Sequence, residues 1–284
     1  MNILGSISGG NDLEKMQLHG NVKSIKELSY KAIDKYGEIK KGEKKREFFD
    51  SKRTDRYFFF NEKGNFTEDR SYNANNKLVD KLTYIYDKNS NLIEKNSNNL
   101  EEKNEYKYIS KYDDKGIRID ESAYSSSGNL LMKSLYKYDD RGNKIEESRV
   151  RFNGSLSSKI IYKYDDKGCN TETNMFGENG KLIYKLTKNY NRKNQIIEFC
   201  SYNSNGNLST KISAMYDDKG NCTELIHKPY ESKENISDDN DDKDYTSTSK
   251  YEYDKNSNWI KQIEFMNGVP LYILEREIEY YKET

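Results

Sequence analysis

The side chains best suited to chemistry in this chain are acids that recur at a fixed interval: Glu68, Glu94, Asp120, Glu146, Glu172, Glu198 and Glu224 stand 26 residues apart. Two carboxylates flanking a glycosidic bond are the minimum equipment for glycoside hydrolysis. A column of equivalent acids is more than such a pair needs, and lysines recur at the same interval at Lys133, Lys159, Lys185 and Lys211. Acids in register with lysines read as a solvated sheet face. A glycoside hydrolase is therefore kept only as the least favoured alternative, and the expectation is that the chain is not an enzyme.

Other chemistries have less to draw on. His19 and His227 are the only histidines and lie far apart in the sequence, so neither a Ser-His-Asp nor a Cys-His centre is expected. Cys169, Cys200 and Cys222 are odd in number and have no close-spaced partner, which argues for ordinary strand or turn residues over a disulfide framework or a zinc cluster. Asp238, Asn240 and Asp242 match the first half of a calcium loop. The sixth position is Lys243 where glycine is needed, and the twelfth is Ser249 where a glutamate should close the site. An acidic surface loop is the better reading. No catalytic residue, metal ligand, cofactor or binding residue is assigned from the sequence.

The elements that carry these residues are legible from the period. The motif Tyr-x-Tyr-Asp-x-x-Gly-Asn places its Asp, or an Asn in its stead, at Asn61, Asp87, Asp113, Asp139, Asp165, Asn191, Asp217 and Asp254. Six steps are 26 residues each and the last is 37, longer by 11. Such a period marks a repeat architecture, in which each unit buries its apolar face against its neighbours. The residue before the marker is aromatic every time, from Phe60 and Tyr86 to Tyr216 and Tyr253. Six places after it stands a β-branched residue: Thr67, Ile93, Ile119, Ile145, Thr171, Ile197, Thr223 and Ile260. Gly128, Gly154, Gly180 and Gly206 mark a second turn.

Tyr, Ile and Thr suit a pleated, half-buried surface, and Asp-x-x-Gly suits a type I turn followed by a bulge. Each unit is expected to be one β-hairpin, with a looser turn into the next. Register has two solutions. A two-residue loop puts Tyr136 and Ile145 on one face; a three-residue loop with a bulge puts the tyrosine face opposite Glu146. The first is favoured, because a carboxylate among tyrosine rings must offset its desolvation.

Composition agrees with thin, tyrosine-rich sheets. The chain of 284 residues is 33% hydrophobic and 34% charged, with 25 Tyr, 17 Gly and only 2 Pro. Periodic aromatics argue against disorder. Forty-eight basic side chains balance 48 acidic ones, so no net positive charge draws a phosphate backbone, and nucleic acid is not an expected partner. No apolar run reaches spanning length, so no membrane is expected. Residues 1–12 lack the pattern of a signal peptide, which on the chain as given points to the cytoplasm.

The expected organisation is an irregular N-terminal segment and capping unit over residues 1–56, tandem hairpins over 57–250 with an acidic insertion at about 232–244, and a C-terminal repeat and cap over 251–284. The second unit loses its pattern over Asn96–Asn104, read as a polar loop or exposed edge. Lys40–Arg46 reads as a solvated basic turn. Trp259, in the last unit, is a candidate for a binding patch.

The motif, best seen at Tyr136–Asn143, Tyr162–Gly168 and Tyr251–Asn258, resembles the YD repeats of the Rhs family, over about 220 residues. That resemblance implies a curling hairpin array used for structure or recognition, of the kind found in bacterial surface proteins and toxin shells, and hence a cell-surface or secreted location. The chain looks more like the small, stand-alone bacterial relatives, and it lacks the self-cleavage motif and C-terminal toxin of the large ones. The expected fold is all-β: an antiparallel array of tandem hairpins twisted into a superhelix or open shell. The expected function is a non-catalytic repeat scaffold or binding module for a protein or glycan. The alternative from another class is a toxin-associated shell or immunity-type protein.

Overall fold

The computed structural model describes residues 10–44, 55–230 and 244–282. Among these a one-turn helix, α1 (Asp12–Lys15), precedes nineteen strands. They are β1 (Val22–Lys35), β2 (Glu38–Lys41), β3 (Asp55–Phe60), β4 (Phe66–Tyr72), β5 (Leu78–Tyr86), β6 (Leu92–Asn99), β7 (Asn104–Tyr112), β8 (Arg118–Ser125), β9 (Leu130–Tyr138) and β10 (Lys144–Arg151). There follow β11 (Leu156–Tyr164), β12 (Asn170–Gly177), β13 (Leu182–Tyr190), β14 (Ile196–Tyr202), β15 (Leu208–Tyr216), β16 (Cys222–Pro229), β17 (Tyr245–Tyr253), β18 (Trp259–Met266) and β19 (Val269–Tyr280). The fold is all-β and antiparallel, as the period predicts.

The motif closes its own turn. The Gly142 N–H donates to the Asp139 carbonyl at 3.0 Å, the Asp139 N–H donates to the Asn143 carbonyl at 2.9 Å, and Gly142 sits at φ +82°. The Asp139 carboxylate accepts from the backbone N–H groups of Arg141 and Asn143 at 3.0 and 2.8 Å, and the Asn143 side chain donates to it at 2.9 Å. The loop is thus three residues long with a left-handed glycine, and the favoured two-residue register is not formed.

A second bulge follows. Lys144 lies opposite Tyr138, but Glu146 lies opposite Lys137 and Glu147 opposite Tyr136, so Ile145 has no cross-strand partner. The tyrosine face therefore meets Lys144 and Glu147, which neither proposed register anticipates. The β-branched column sits in this bulge and is partly exposed, with Ile119 at 42% and Ile197 at 39%, instead of filling buried rows beside the tyrosines. The second turn is as tight as the first: the Gly154 N–H donates to the Arg151 carbonyl at 2.9 Å, with Gly154 at φ +82°.

A bulge disrupts the ladder locally, and the tyrosine preceding the marker makes use of the carbonyl just before it. The hydroxyls of Tyr138, Tyr164, Tyr190 and Tyr216 donate to the carbonyls of Arg118, Lys144, Asn170 and Ile196, each at 2.7 Å. Each ring ties one hairpin to its predecessor. Burial pushes the Tyr190 hydroxyl up to about 12 and raises Tyr138 and Tyr164 as well.

The chain packs as two compact units. Of the described residues, the first contains 110–123, 130–230 and 244–247, the second 10–44, 55–109, 124–129 and 248–282. In the first, β9 to β16 pair in sequence order. In the second, β18 pairs with β19, β19 with β1, β1 with β3, and β3 to β7 follow in order.

The N-terminal segment expected as a cap thus supplies β1, which is hydrogen-bonded on both sides. The open superhelix or shell is corrected by this pairing: β1 and β19, which would have been the free edges of an open array, are hydrogen-bonded to each other. Exposed strand edges invite association, and this junction removes two of them. Around it lies an apolar cluster of Leu13, Leu18, Val22, Ile25, Phe58 and Phe60. The α1 segment is pinned there by Leu13 N–H to the Gly64 carbonyl at 3.0 Å and by Asp12, whose carboxylate accepts from the Phe66 N–H at 2.9 Å.

Candidate functional site

The recurring acids and lysines meet across strands and neutralise one another. Glu94–Lys107 (3.2 Å), Asp120–Lys133 (3.0 Å), Glu146–Lys159 (2.8 Å), Glu172–Lys185 (3.2 Å) and Glu198–Lys211 (2.5 Å) each join the acid of one hairpin to the lysine of the next. Lys137 and Lys163 add a second contact to Glu146 and Glu172 at 3.1 and 2.7 Å. In the last unit the signs are exchanged, and Lys261 pairs with Glu252 at 2.7 Å.

A glycosidase acid needs a raised pKa; Glu68, Glu94, Glu146 and Glu172 go the other way. Lys159 holds the Glu146 carboxyl below its ordinary range, and Lys163 with Asn174 brings Glu172 down to about 2. Successive acids stand two strands apart, about 9.6 Å by strand spacing, which rules out the roughly 5–5.5 Å of a retaining pair and falls at the upper end of the roughly 6.5–9.5 Å of an inverting one, so the lowered pKa values carry the case against hydrolysis.

A cleft of about 560 Å³ opens in the second unit. It is lined by Lys81 and Thr83 of β5, Asn96, Ser97 and Asn98 of β6, Glu105, Tyr106, Lys107 and Ile109 of β7, and Tyr124, Ser125, Ser126 and Gly128. The volume suits a small ligand or one side-chain cluster of a larger partner. The Asn98 amide donates to Glu105 at 2.9 Å and the Asn96 amide to Glu94 at 2.9 Å, which fixes the polar groups. Tyr106 is 37% exposed. Aromatic surface, amides and hydroxyls together can recognise a polar ligand by stacking and hydrogen bonding.

Asn96–Asn104 is not the loop or edge expected. It completes β6, turns at Leu100–Lys103 and enters β7, which pairs with β6 from Asn99↔Asn104 to Glu94↔Ile109. The sequence signal was the loss of pattern itself; Tyr106 and Tyr124 went unnoticed because each falls in an otherwise ordinary strand.

The remaining candidates are absorbed elsewhere. The Trp259 ring is covered by the Arg276 guanidinium, 3.4 Å from its centroid, and Arg276 is itself paired with Glu27 at 3.1 Å. The His19 backbone is clasped by Asn258, which is 2% exposed and bonds its N–H and carbonyl at 2.8 Å each. His227 stacks on Tyr245 with centroids 4.6 Å apart. Cys200 is buried, Cys169 and Cys222 half-buried, and all three are free thiols. Asp238, Asn240, Asp242 and Lys243 lie outside the described residues, as do Lys45 and Arg46 of the basic run; Ser249 accepts from Gln262 at 2.9 Å.

No family model matches the chain, and no curated protein does. Solved structures do. A porin-like protein from Bacteroides uniformis aligns over 91% of this chain and 98% of its own length, at 11% identity and a TM-score of 0.46. A chain of a TcdB2-TccC3-Cdc42 structure aligns over 78% of this chain at 13% identity and a TM-score of 0.39; this chain spans only 12% of its length. A DUF1329 family protein from Desulfovibrio piger aligns over 91% of this chain and 86% of its own, at 8% identity and a TM-score of 0.21.

Proposed function

We propose that this chain is a non-catalytic recognition module, a hairpin-repeat scaffold that takes a protein or a glycan in the cleft of β5, β6 and β7. The observation that carries this reading is the coincidence of two departures. The cleft opens where the repeat loses its pattern, at Asn96–Asn104, and places Tyr106 and Tyr124 beside amides and hydroxyls. Positions that break a local rule are where function is expected.

Paired acids with lowered pKa values favour binding over hydrolysis. Lysines neutralised by those acids leave little field for nucleic acid. A lipid-facing strand surface must be apolar, yet one sheet face carries the Lys–Glu ladder and the other carries Lys144, Glu147 and Arg149, which disfavours a membrane-spanning role. The motif whose Asp and Asn close its own turn supports a further proposal, that the chain is a small relative of the YD-repeat proteins.

A glycan array and a pull-down with the full chain test the function, with Tyr106→Ala and Tyr124→Ala as comparisons. A saturable partner whose affinity falls at least about tenfold on loss of one stacking ring is the expected outcome. Turnover of a glycoside that depends on a column acid such as Glu94 would overturn the reading.

A further inference from the structure

We propose that Lys188 and Asn170 join in an intramolecular amide cross-link between β13 and β12. The repeat itself supplies the comparison that singles them out. One unit earlier Lys144 is neutralised by Glu147 at 2.9 Å and lies 4.7 Å from the centre of the Tyr162 ring. Twenty-six residues on, the positions of Lys144, Glu147 and Tyr162 are taken by Asn170, Thr173 and Lys188. The cation has moved to the neighbouring strand, and its carboxylate has become a hydroxyl.

Lys188 is half-buried, and its Nζ contacts the Asn170 Oδ1 at 3.3 Å with no carboxylate partner among the described residues. Burial lowers its pKa, which favours the free amine, the nucleophilic form. The buried Thr173 hydroxyl donates to the same Asn170 Oδ1 at 2.9 Å. A donor there polarises the amide carbonyl and stabilises the negative charge that attack would place on its oxygen. The Asn170 Nδ2 donates to the carbonyls of Lys163 and Glu172 at 3.0 and 2.9 Å. These two acceptors fix the amide's orientation and stabilise positive charge as that nitrogen departs.

In the reaction the Lys188 Nζ bonds to the Asn170 Cγ, the Cγ–Nδ2 bond breaks, and a proton passes from Nζ to Nδ2, which leaves as ammonia. No oxidant or co-reactant is required. Amine and amide are held in contact by the sheet, so the step gains from proximity.

Intact mass of the purified full chain, aged at mildly alkaline pH, reads the outcome. The expected result is a mass lower by one ammonia, with residues 170 and 188 recovered in one branched peptide after digestion. The peptide map separates this product from succinimide at Asn153-Gly154, Asn179-Gly180, Asn205-Gly206 or Asn267-Gly268, which loses the same mass without joining two peptides. Lys188→Arg should abolish the link, and Thr173→Val should slow it. Folded wild-type protein in which both peptides stay separate overturns the proposal, whatever the variants do.

Discussion

At the scale of single residues, the recurring Asp, Asn, Tyr and Glu each have a separate task. Asp139 and Asn143 close a turn, Tyr138 bonds the preceding hairpin, and Glu146 bridges Lys137 and Lys159. The acid column also makes stability depend on pH. Glu172 has a folded pKa of about 2 against an ordinary value of 4.5, so its contribution is full above about 4.5 and is lost as pH falls toward 2. Glu172→Gln should therefore destabilise the protein at neutral pH, where the contribution is full, and flatten the acid limb so that variant and wild type converge as pH falls toward 2, measured by urea unfolding at stepped pH. Which residues recur was legible in the sequence. What Glu146 and Glu147 each face was not, because neighbouring acids on a strand exchange roles with one residue of slip.

At the scale of the hairpin, the sequence showed the turn but not its register. The type I turn and its left-handed glycine follow from Asp-x-x-Gly, whereas the bulge at Ile145 leaves no mark in composition, since an isoleucine suits a bulge and a paired strand alike. The same turn is closed elsewhere by non-glycine residues in the left-handed region, Ser90 at φ +68° and Ser257 at φ +66°. An L-residue there costs about 1–2 kcal/mol, part of which glycine returns as chain entropy in the unfolded state. Ser90→Gly and Ser257→Gly should therefore each stabilise by about 0.5–1 kcal/mol, read as a raised denaturant midpoint at unchanged m-value. The cleft was half legible: its polar stretch stood out, but its conversion into β6 and β7 required the cross-strand pairing of Glu94 with Ile109.

At the scale of the whole molecule, the joining of β1 to β19 could not be read from the repeat, because a period reports on neighbours and this contact links strands at opposite ends of it. Leu13 and Leu18 gave equally little sign, being isolated apolar residues in a polar stretch. Truncation before Val269 should leave β1 with one unpaired edge and remove the buried Tyr272, Ile273 and Leu274. The expected result is loss of cooperative unfolding together with larger species on gel filtration than the full chain forms, where an array with a dispensable last strand would elute and melt as before.

The pairing of Ile25 with Ile278 also sets an order of events during synthesis. A ribosome adding roughly 5–20 residues per second needs on the order of 10–50 s to travel between these two partners. Through that interval the amino-terminal strand has left the tunnel with its apolar side chains and no C-terminal partner to cover them. The nascent chain is thus expected to need a chaperone until β19 is made, and protection of the β1 segment from protease is expected only from that point.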